Sequence, residues 1–156
     1  MDASRSFSGP FYDGCSSEPW CNVVEIGGKG LFFKPFQGSL GDLITVHFYQ
    51  DNPATPGAKY TLSGYAAGEA NYCGFFATNS PPPATLFVIH FLDSGGTIIS
   101  SNAFDLIAAG LPNTGPGAMG GFYYTTPEVT APPGAATVRA GASMMNAYST
   151  TGAQSW

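Results

Sequence analysis

The segment that decides the fold class is Gln50–Ala66, which reads QDNPATPGAKYTLSGYA. Its first half holds prolines, a glycine and an Asp-Asn pair, which are residues that form turns. Its second half, Tyr60–Ala66, alternates in the way of a half-buried strand. The same turn chemistry returns at Pro133-Gly134-Ala135, again before an alternating segment. Two strands are therefore predicted to begin from one kind of turn.

Most of the remaining chain also reads as short strands separated by turns rich in glycine and proline. The residues Asp93–Gly96 predict a tight turn, and hence a hairpin, between two of these strands. Helix signals are confined to Ser101–Gly110, where one or two turns fit between a serine cap and a glycine stop. The other predicted strands are Leu31–Gln37 (an edge or bulged strand, because of Pro35), Leu43–Gln50, Thr85–Leu92, Thr97–Ser100, Gly121–Thr126, Ala136–Met145 and the start of one more at Tyr148–Thr150.

This pattern predicts an all-β fold, an antiparallel β-sandwich of jelly-roll type with at most one short helix. The length suits one domain, which we expect to cover residues 1–156. Alternation gives each strand a core face and a second face that mixes hydroxyls, aromatic rings and histidine. The core faces hold Ile44, Val46, Phe48, Tyr60, Leu62, Ala66, Phe87, Ile89, Phe91, Val138, Ala140, Ala142 and Met144, and the second faces hold Thr45, His47, Tyr49, Thr61, Ser63, Tyr65, Leu86, Val88, His90, Arg139, Gly141 and Ser143.

The charge of the chain argues against two classes of partner. Charged residues make up 10% of the sequence and the formal net charge is −5, whereas roughly 25% of residues are charged in an ordinary soluble domain. The 5 lysines and arginines are scattered, so no basic patch is predicted for nucleic acid or for an anionic membrane surface. No apolar run approaches the roughly 18 residues of a membrane-spanning helix, and no membrane insertion is expected.

The low charge and the abundance of glycine, serine, threonine and tyrosine favour a secreted, extracellular protein. The first residues lack the pattern of a signal peptide, as they would in a mature secreted domain with an added Met1 or in a cytosolic protein. Cys15 and Cys21 bracket a loop that a disulfide can close, but Cys73 can pair with either, and in a reducing compartment all three stay thiols. Without close Cys-x-x-Cys spacing or a neighbouring histidine, no metal site is predicted.

Three segments carry a resemblance to a known family. They are PATPGAKYTLSGYA (Pro53–Ala66), LFVIHFLDSGGTIIS (Leu86–Ser100) and YTTPEVTAPPGAATVRAGASMMNA (Tyr124–Ala147). In this order they resemble the jelly-roll carbohydrate-binding modules of the xylan- and cellulose-binding, galactose-binding-like type. The resemblance extends over Gln50–Tyr148 and rests on turns and strand patterns, so it implies the fold more strongly than a ligand.

Two departures from the family pattern concern calcium and the sheet edge. Such modules begin with a strand containing Phe-Glu, where this chain has Phe7-Ser8, and they close with a strand carrying paired aspartates, before which this chain ends at Trp156. In the family those carboxylates bind a structural calcium ion. The resemblance therefore implies calcium as a possible ligand, and no other cofactor is expected. Without the closing strand, an open sheet edge would allow self-association.

The residue types that recognise sugars are plentiful in this chain. Aromatic rings lie against the C–H faces of sugars, and planar polar groups bind their hydroxyls. We expect non-catalytic binding of a polysaccharide or oligosaccharide, although any single aromatic residue in a sandwich is more often a core residue. Trp20 stands out because its loop is polar. The predicted carbohydrate-binding residues are Trp20, Tyr49, Gln50, Tyr65, Asn71, Tyr72, His90 and Arg139, and further candidates are Asn22, Phe75 and Tyr123.

Two other function classes stay open on the sequence. A structural or adhesion domain would assemble through its sheet edge, and a small glycan-active enzyme would need two carboxylates at a fixed separation. Most acids fall in turns or loops, with Glu25 and Glu69 the two worth testing, and no catalytic motif occurs. His47 and His90 share the second face, where a metal or acid–base pair is an alternative to structural hydrogen bonding. No catalytic residue is predicted.

Overall fold

The structure is a computed structural model that describes residues 43–68, residue 74, residues 81–111 and residues 122–147. Within these residues the chain forms strands and turns and contains no α-helix, and none of it provides a helix able to cross a membrane. The strands are β1 (Ile44–Pro53), β2 (Lys59–Tyr60), β3 (Ser63–Ala66), β4 (Ala84–Leu92), β5 (Ile98–Asp105), β6 (Phe122–Thr125), β7 (Val129–Thr130) and β8 (Thr137–Ala147). The all-β prediction is confirmed; the strands predicted at Leu31–Gln37 and Tyr148–Thr150 lie outside the described residues.

The strands pair in a nested order. β1 pairs with β8, β2 with β7, β3 with β6 and β4 with β5, and every pair is antiparallel. The last strand, β8, also pairs with β4, which gives a 4-stranded sheet in the order β1-β8-β4-β5. A long hairpin folded over in this way is the wrap of a jelly roll. The two short pairs, β2–β7 and β3–β6, form the layer that packs on this sheet.

The core lies between these layers and is built from the predicted core faces; Val88 and Ser143, which were predicted on the second faces, are buried as well. One cluster is built around Phe87, Leu106, Tyr124 and Met144, with Val46 and Phe48 packed against it. A second is built around Ile89, Phe91, Ala131, Ala135 and Val138, with Tyr60 and Val129 packed against it. Leu62 contacts both clusters. Apolar side chains of alternate residues thus meet across the sandwich, which is the source of its stability.

The predicted turns are confirmed. Gly57 and Gly134, which follow Pro56 and Pro133, have φ of 80° and 85°, a backbone region that glycine enters without steric cost. In the hairpin between β4 and β5, one carboxylate oxygen of Asp93 accepts hydrogen bonds from the N–H groups of Gly95 and Thr97, both at 2.9 Å. The sequence therefore encodes these reversals through residues within the turns themselves.

The short helix predicted within Ser101–Gly110 is wrong. Strand β5 continues through Asp105, because residues from Ser101 onward pair with β4. A single turn follows, in which Oδ1 of Asp105 accepts hydrogen bonds from the N–H groups of Ile107 (2.8 Å) and Ala108 (3.2 Å). Gly110, at φ 88°, ends the turn as predicted. The capping residue is the aspartate, and the serine lies within a strand.

The strand predicted over Tyr60–Ala66 is interrupted. β2 and β3 are separated by Thr61 and Leu62, whereas β6 and β7 are separated by Thr126, Pro127 and Glu128. The surplus residue makes a bulge. Thr126 bridges it, since its N–H donates to the Leu62 carbonyl (2.9 Å) and its hydroxyl accepts the Leu62 N–H (3.0 Å). We call β2, β3, β6 and β7 together the ribbon.

Gly141 marks the closest approach between β8 and its neighbours. A Cβ placed on it would lie 2.5 Å from the carbonyl oxygen of Phe48, 3.1 Å from Cβ of Tyr49 and 3.2 Å from a methyl of Val88. The first contact is with backbone, which cannot rotate away. A side chain at this position would force β1 and β8 apart in the middle of the sheet.

We predict that Gly141→Ala costs about 3 kcal/mol of unfolding free energy, at the upper end of the cost of overpacking. Equilibrium denaturation in guanidinium chloride measures it. Gly64→Ala is the matched control, because its added Cβ would meet the end of the Phe87 ring at 3.3 Å, where a side chain can adjust. Equal costs for the two variants would contradict the role given to Gly141.

We predict that Thr126→Val costs about 1–2 kcal/mol, because it leaves the Leu62 N–H without its acceptor in a half-buried position. Thr125→Val is the control, since its hydroxyl bonds to Ser63 (3.1 Å) in an exposed position, and we expect a change within about 0.5 kcal/mol. The comparison uses the same denaturation measurement. An equal effect of both substitutions would show that Thr126 does not hold the bulge.

Candidate functional site

The outer face of the four-stranded sheet gathers several predicted site residues. Across β1, β8 and β4, Asp51 lies opposite Arg139, and Arg139 lies opposite His90. In the next row on this face, Tyr49 lies opposite Gly141. We call Tyr49, Asp51, His90 and Arg139 the arginine cluster.

Arg139 is fully engaged within this cluster. Its Nε and one terminal nitrogen donate to the two carboxylate oxygens of Asp51, at 2.7 and 2.8 Å, in a bidentate ion pair. Its guanidinium carbon also lies 3.9 Å from the ring centroid of Tyr49, a cation–π contact. These hydrogen bonds, which Arg139 donates and Asp51 accepts, lower the pKa of Asp51 and raise the pKa of Arg139. Both groups are therefore charged at neutral pH.

His90 is held in its neutral form. Burial lowers its pKa below the ordinary value, and the positive charge of the nearby Arg139 lowers it further. Its Nδ1 is buried and has no hydrogen-bond partner in the described part of the chain. An orphaned acceptor costs less than an orphaned N–H, so the proton of the neutral ring is expected on Nε2.

His47 serves a structural purpose on the same face. Its Nδ1 is hydrogen-bonded to Oγ of Ser143 at 2.8 Å, and Ser143 is 2% exposed. The bond links β1 to β8 across 96 residues of sequence. A buried hydroxyl is not open to a substrate, so this pair fixes strand position and satisfies a buried polar group.

The outer face of the ribbon carries aromatic rings and hydroxyls, unlike the charged arginine cluster on the four-stranded sheet. Tyr65 on β3 and Tyr123 on β6 lie directly opposite each other, with ring centroids 5.1 Å apart and ring planes at 58°. Their exposed fractions are 47% and 60%. In the next row Ser63 and Thr125 place their hydroxyls 3.1 Å apart. This face thus presents two aromatic rings beside two hydroxyls, and we call Tyr65 and Tyr123 the tyrosine pair.

An ion pair occupies the other end of the ribbon. Nζ of Lys59, on β2, lies 2.7 Å from a carboxylate oxygen of Glu128, and both side chains are more than half exposed. Opposite charges this close leave almost no net field at a distance. The ribbon surface is therefore polar and close to electrically neutral from Lys59 to the tyrosine pair.

The predicted site residues divide between these surfaces. Tyr49, His90 and Arg139 lie together in the arginine cluster, whereas Tyr65 lies on the opposite layer of the sandwich. Gln50 alternates with Tyr49 and points to the other side of β1, where its amide is 3.4 Å from Asn52. The remaining predicted residues lie outside the described part of the chain: Trp20, Asn71, Tyr72 and the proposed disulfide cysteines Cys15 and Cys21, together with Asn22, Cys73, Phe75, Glu25 and Glu69.

The sequence analysis did not predict that Tyr65 pairs with Tyr123 or that Ser63 pairs with Thr125. Alternation had placed Tyr65 and Ser63 on a second face, but it could not give their partners, which lie 62 residues away in the case of Ser63 and Thr125. A usable signal was present in the sequence, since Ser-x-Tyr and Tyr-x-Thr match in antiparallel register.

Each described carboxylate has a structural partner. Asp51 binds Arg139 and Glu128 binds Lys59, while Asp93 and Asp105 accept backbone N–H groups of their own turns. No group of at least three histidine, cysteine or acidic residues converges within the described residues as a metal site would require. The arrangement of these acids serves turns and strand pairing.

Comparison with known proteins identifies little. No family model and no curated protein matches the chain. Among solved structures, the enzymatically active domain of tailspike protein 4 of bacteriophage CBA120 is similar over 71% of this chain and 12% of that chain, with 19% sequence identity and a TM-score of 0.42. The chain thus spans a small part of that structure's length.

We predict that stability depends on His90 in mildly acidic solution. Because the folded pKa is lower than the unfolded value of about 6.5, the unfolded state binds the proton more readily. The free energy of unfolding should therefore fall as the pH decreases from about 6.5 toward the folded pKa. His90→Phe keeps a planar ring without a titrating nitrogen and should flatten this part of the curve. Parallel wild-type and variant curves between about pH 7 and 5 would contradict the prediction.

Proposed function

We propose that this chain binds a polysaccharide or oligosaccharide without catalysis, in an extracellular setting, and that the outer face of the ribbon holds the ligand. The proposal agrees with what the resemblance to carbohydrate-binding modules implies. The observation that carries it is the tyrosine pair, in which two half-exposed rings lie 5.1 Å apart on a sheet face.

The tyrosine pair has the chemistry that a sugar requires. Most aromatic rings of a sandwich are consumed by the core, as Tyr60 is against Phe91 at 5.5 Å. Tyr65 and Tyr123 instead keep much of their ring surface in water, where the apolar C–H face of a pyranose can replace solvent. The two ring planes are inclined to each other by 58°, so the rings do not form one flat surface. Ligand sites are commonly lined by aromatic side chains together with a small number of well-placed polar groups.

The hydroxyls beside the rings provide polar contacts. Ser63 and Thr125 share one hydrogen bond, which leaves further donor and acceptor capacity in the pair. A sugar hydroxyl lying over Tyr65 and Tyr123 would be next to them. Stacking would then supply affinity, and these hydroxyls would orient the sugar.

Charge favours a neutral glycan. Lys59 and Glu128 neutralise each other at the end of the ribbon, and the chain carries a formal net charge of −5. No free cation of the described ribbon is available to bind a uronate or sulfate group. Binding should therefore change little with ionic strength.

The arginine cluster is less suited to a sugar. The face of Tyr49 is already covered by the guanidinium of Arg139, and that guanidinium already donates to both oxygens of Asp51. A sugar at this place would have to displace contacts that the fold uses. Since the described carboxylates also have structural partners, the geometry supports binding more than hydrolysis, which needs a free pair of carboxylates.

Affinity electrophoresis in gels containing soluble glucans, xylans or mannans tests the proposal. At least one neutral glycan should retard the wild type, and Tyr65→Ala or Tyr123→Ala should weaken binding about tenfold or more, about 1.4 kcal/mol. Tyr65→Phe and Tyr123→Phe keep the rings and should bind within a few-fold of wild type.

Tyr49→Leu is the matched control, because it removes a tyrosine ring from the arginine cluster and leaves the ribbon intact. Loss of binding in Tyr49→Leu, with binding kept in both ribbon alanine variants, would move the site to the other layer. Absence of retardation by every glycan, together with large assemblies in light scattering, would favour the structural class of function.

A further inference from the structure

We propose that Tyr65 and Tyr123 are also a site of oxidative modification, at which a one-electron oxidant joins their rings into an intramolecular dityrosine. This inference does not depend on carbohydrate binding, since it uses only the position and exposure of the two phenols. The cross-link would tie β3 to β6 covalently across the ribbon.

Tyr65 and Tyr123 lie close enough for their rings to couple. Directly opposite residues of an antiparallel pair have their Cβ atoms about 5 Å apart, and the ring centroids here are 5.1 Å apart. Coupling forms a carbon–carbon bond between ring positions adjacent to the hydroxyl-bearing carbons. The ring planes are tilted by 58° to each other, so the rings are neither stacked flat nor held apart by a third side chain between their centroids. Small side-chain rotations, free at a half-exposed position, are enough to bring these carbons together.

The other described tyrosines are less available for coupling. The ring of Tyr49 lies under Arg139. The hydroxyl of Tyr60 accepts the Thr55 N–H at 2.9 Å, and its ring packs on Phe91. Tyr124 is 8% exposed and donates to the Gly110 carbonyl at 3.0 Å. Tyr65 and Tyr123 are both exposed and mutually in contact, and none of the other described tyrosines combines these two properties.

The reaction balances with hydrogen peroxide as oxidant and a haem peroxidase as catalyst. Each phenol loses one electron and one proton to give a phenoxyl radical. The two radicals couple at their ortho carbons, and loss of the ring protons to solvent with return of protons to the oxygens restores both phenols. Overall, two tyrosines lose two hydrogen atoms and one peroxide becomes two water molecules.

Peptide mapping of the intact chain after peroxidase treatment provides the test. Trypsin cleaves after Lys59 and Arg139, and a glutamate-specific protease cleaves after Glu69 and Glu128. Fragments 60–69 and 70–128, which carry Tyr65 and Tyr123 respectively, should then appear joined, lighter by two hydrogen atoms and with dityrosine fluorescence. The product should be monomeric, and its yield should not depend on protein concentration.

Two pairs of variants make the assignment specific. Tyr65→Phe and Tyr123→Phe should each abolish the joined fragment. Tyr60→Phe and Tyr124→Phe, which change the other described tyrosines of the same two fragments, should retain it. The proposal is overturned if no dityrosine forms, if it forms only between chains, or if the joined fragment persists in either Tyr65→Phe or Tyr123→Phe.

Discussion

The insertion of β8 between β1 and β4 is the constraint on which the rest of the structure depends. It joins the chain's first and last described strands, and it brings the four-stranded sheet together around Gly141, where a Cβ would lie 2.5 Å from the Phe48 carbonyl. Because a strand that fits this tightly permits one register, it fixes which side chains of β1 and β4 share a face. The partners of β8 are far away in sequence, so this sheet forms through long-range contacts, which close late and slowly.

That register has opposite consequences on the two sides of the sheet. Toward the core it aligns Val46 and Phe48 with Met144 and Phe87. Toward the outside it places Arg139 between Asp51 and His90. The guanidinium binds a carboxylate and covers a tyrosine ring, and it adds to the burial that lowers the pKa of His90. Because Arg139 is already bound to Asp51 and already covers Tyr49, these side chains hold β1 and β8 together and have little capacity left for a ligand.

The ribbon has fewer strand pairings than the four-stranded sheet and exposes aromatic side chains on its outer face. Its layer consists of two short strand pairs around a bulge, joined by the hydrogen bonds of Thr126 with Leu62. The inner side chains of this layer contribute to both core clusters. On its outer side Tyr65 and Tyr123 stay 47% and 60% exposed. The two outer faces differ for a physical reason. On the four-stranded sheet, Arg139 has charged and aromatic neighbours within reach and binds them. On the ribbon, the neighbours are rings and hydroxyls, and the tyrosine pair stays exposed to water.

The sequence by itself determined the all-β class, the turns of the described residues and the residues that form the core faces of β1, β4 and β8. These features depend on interactions within a few residues, so a short stretch of sequence is enough to predict them. Examples are strand alternation, the carboxylate of Asp93 and the positive φ of Gly134. It misread Ser101–Gly110, because pairing with β4 extended β5 over a helix-like pattern. Only the tertiary structure decided that Tyr49 lies under Arg139 while Tyr65 faces Tyr123, although both tyrosines read alike in sequence. Period-two alternation says which side of a strand a residue occupies, but the strand that lies beside it is set by long-range register.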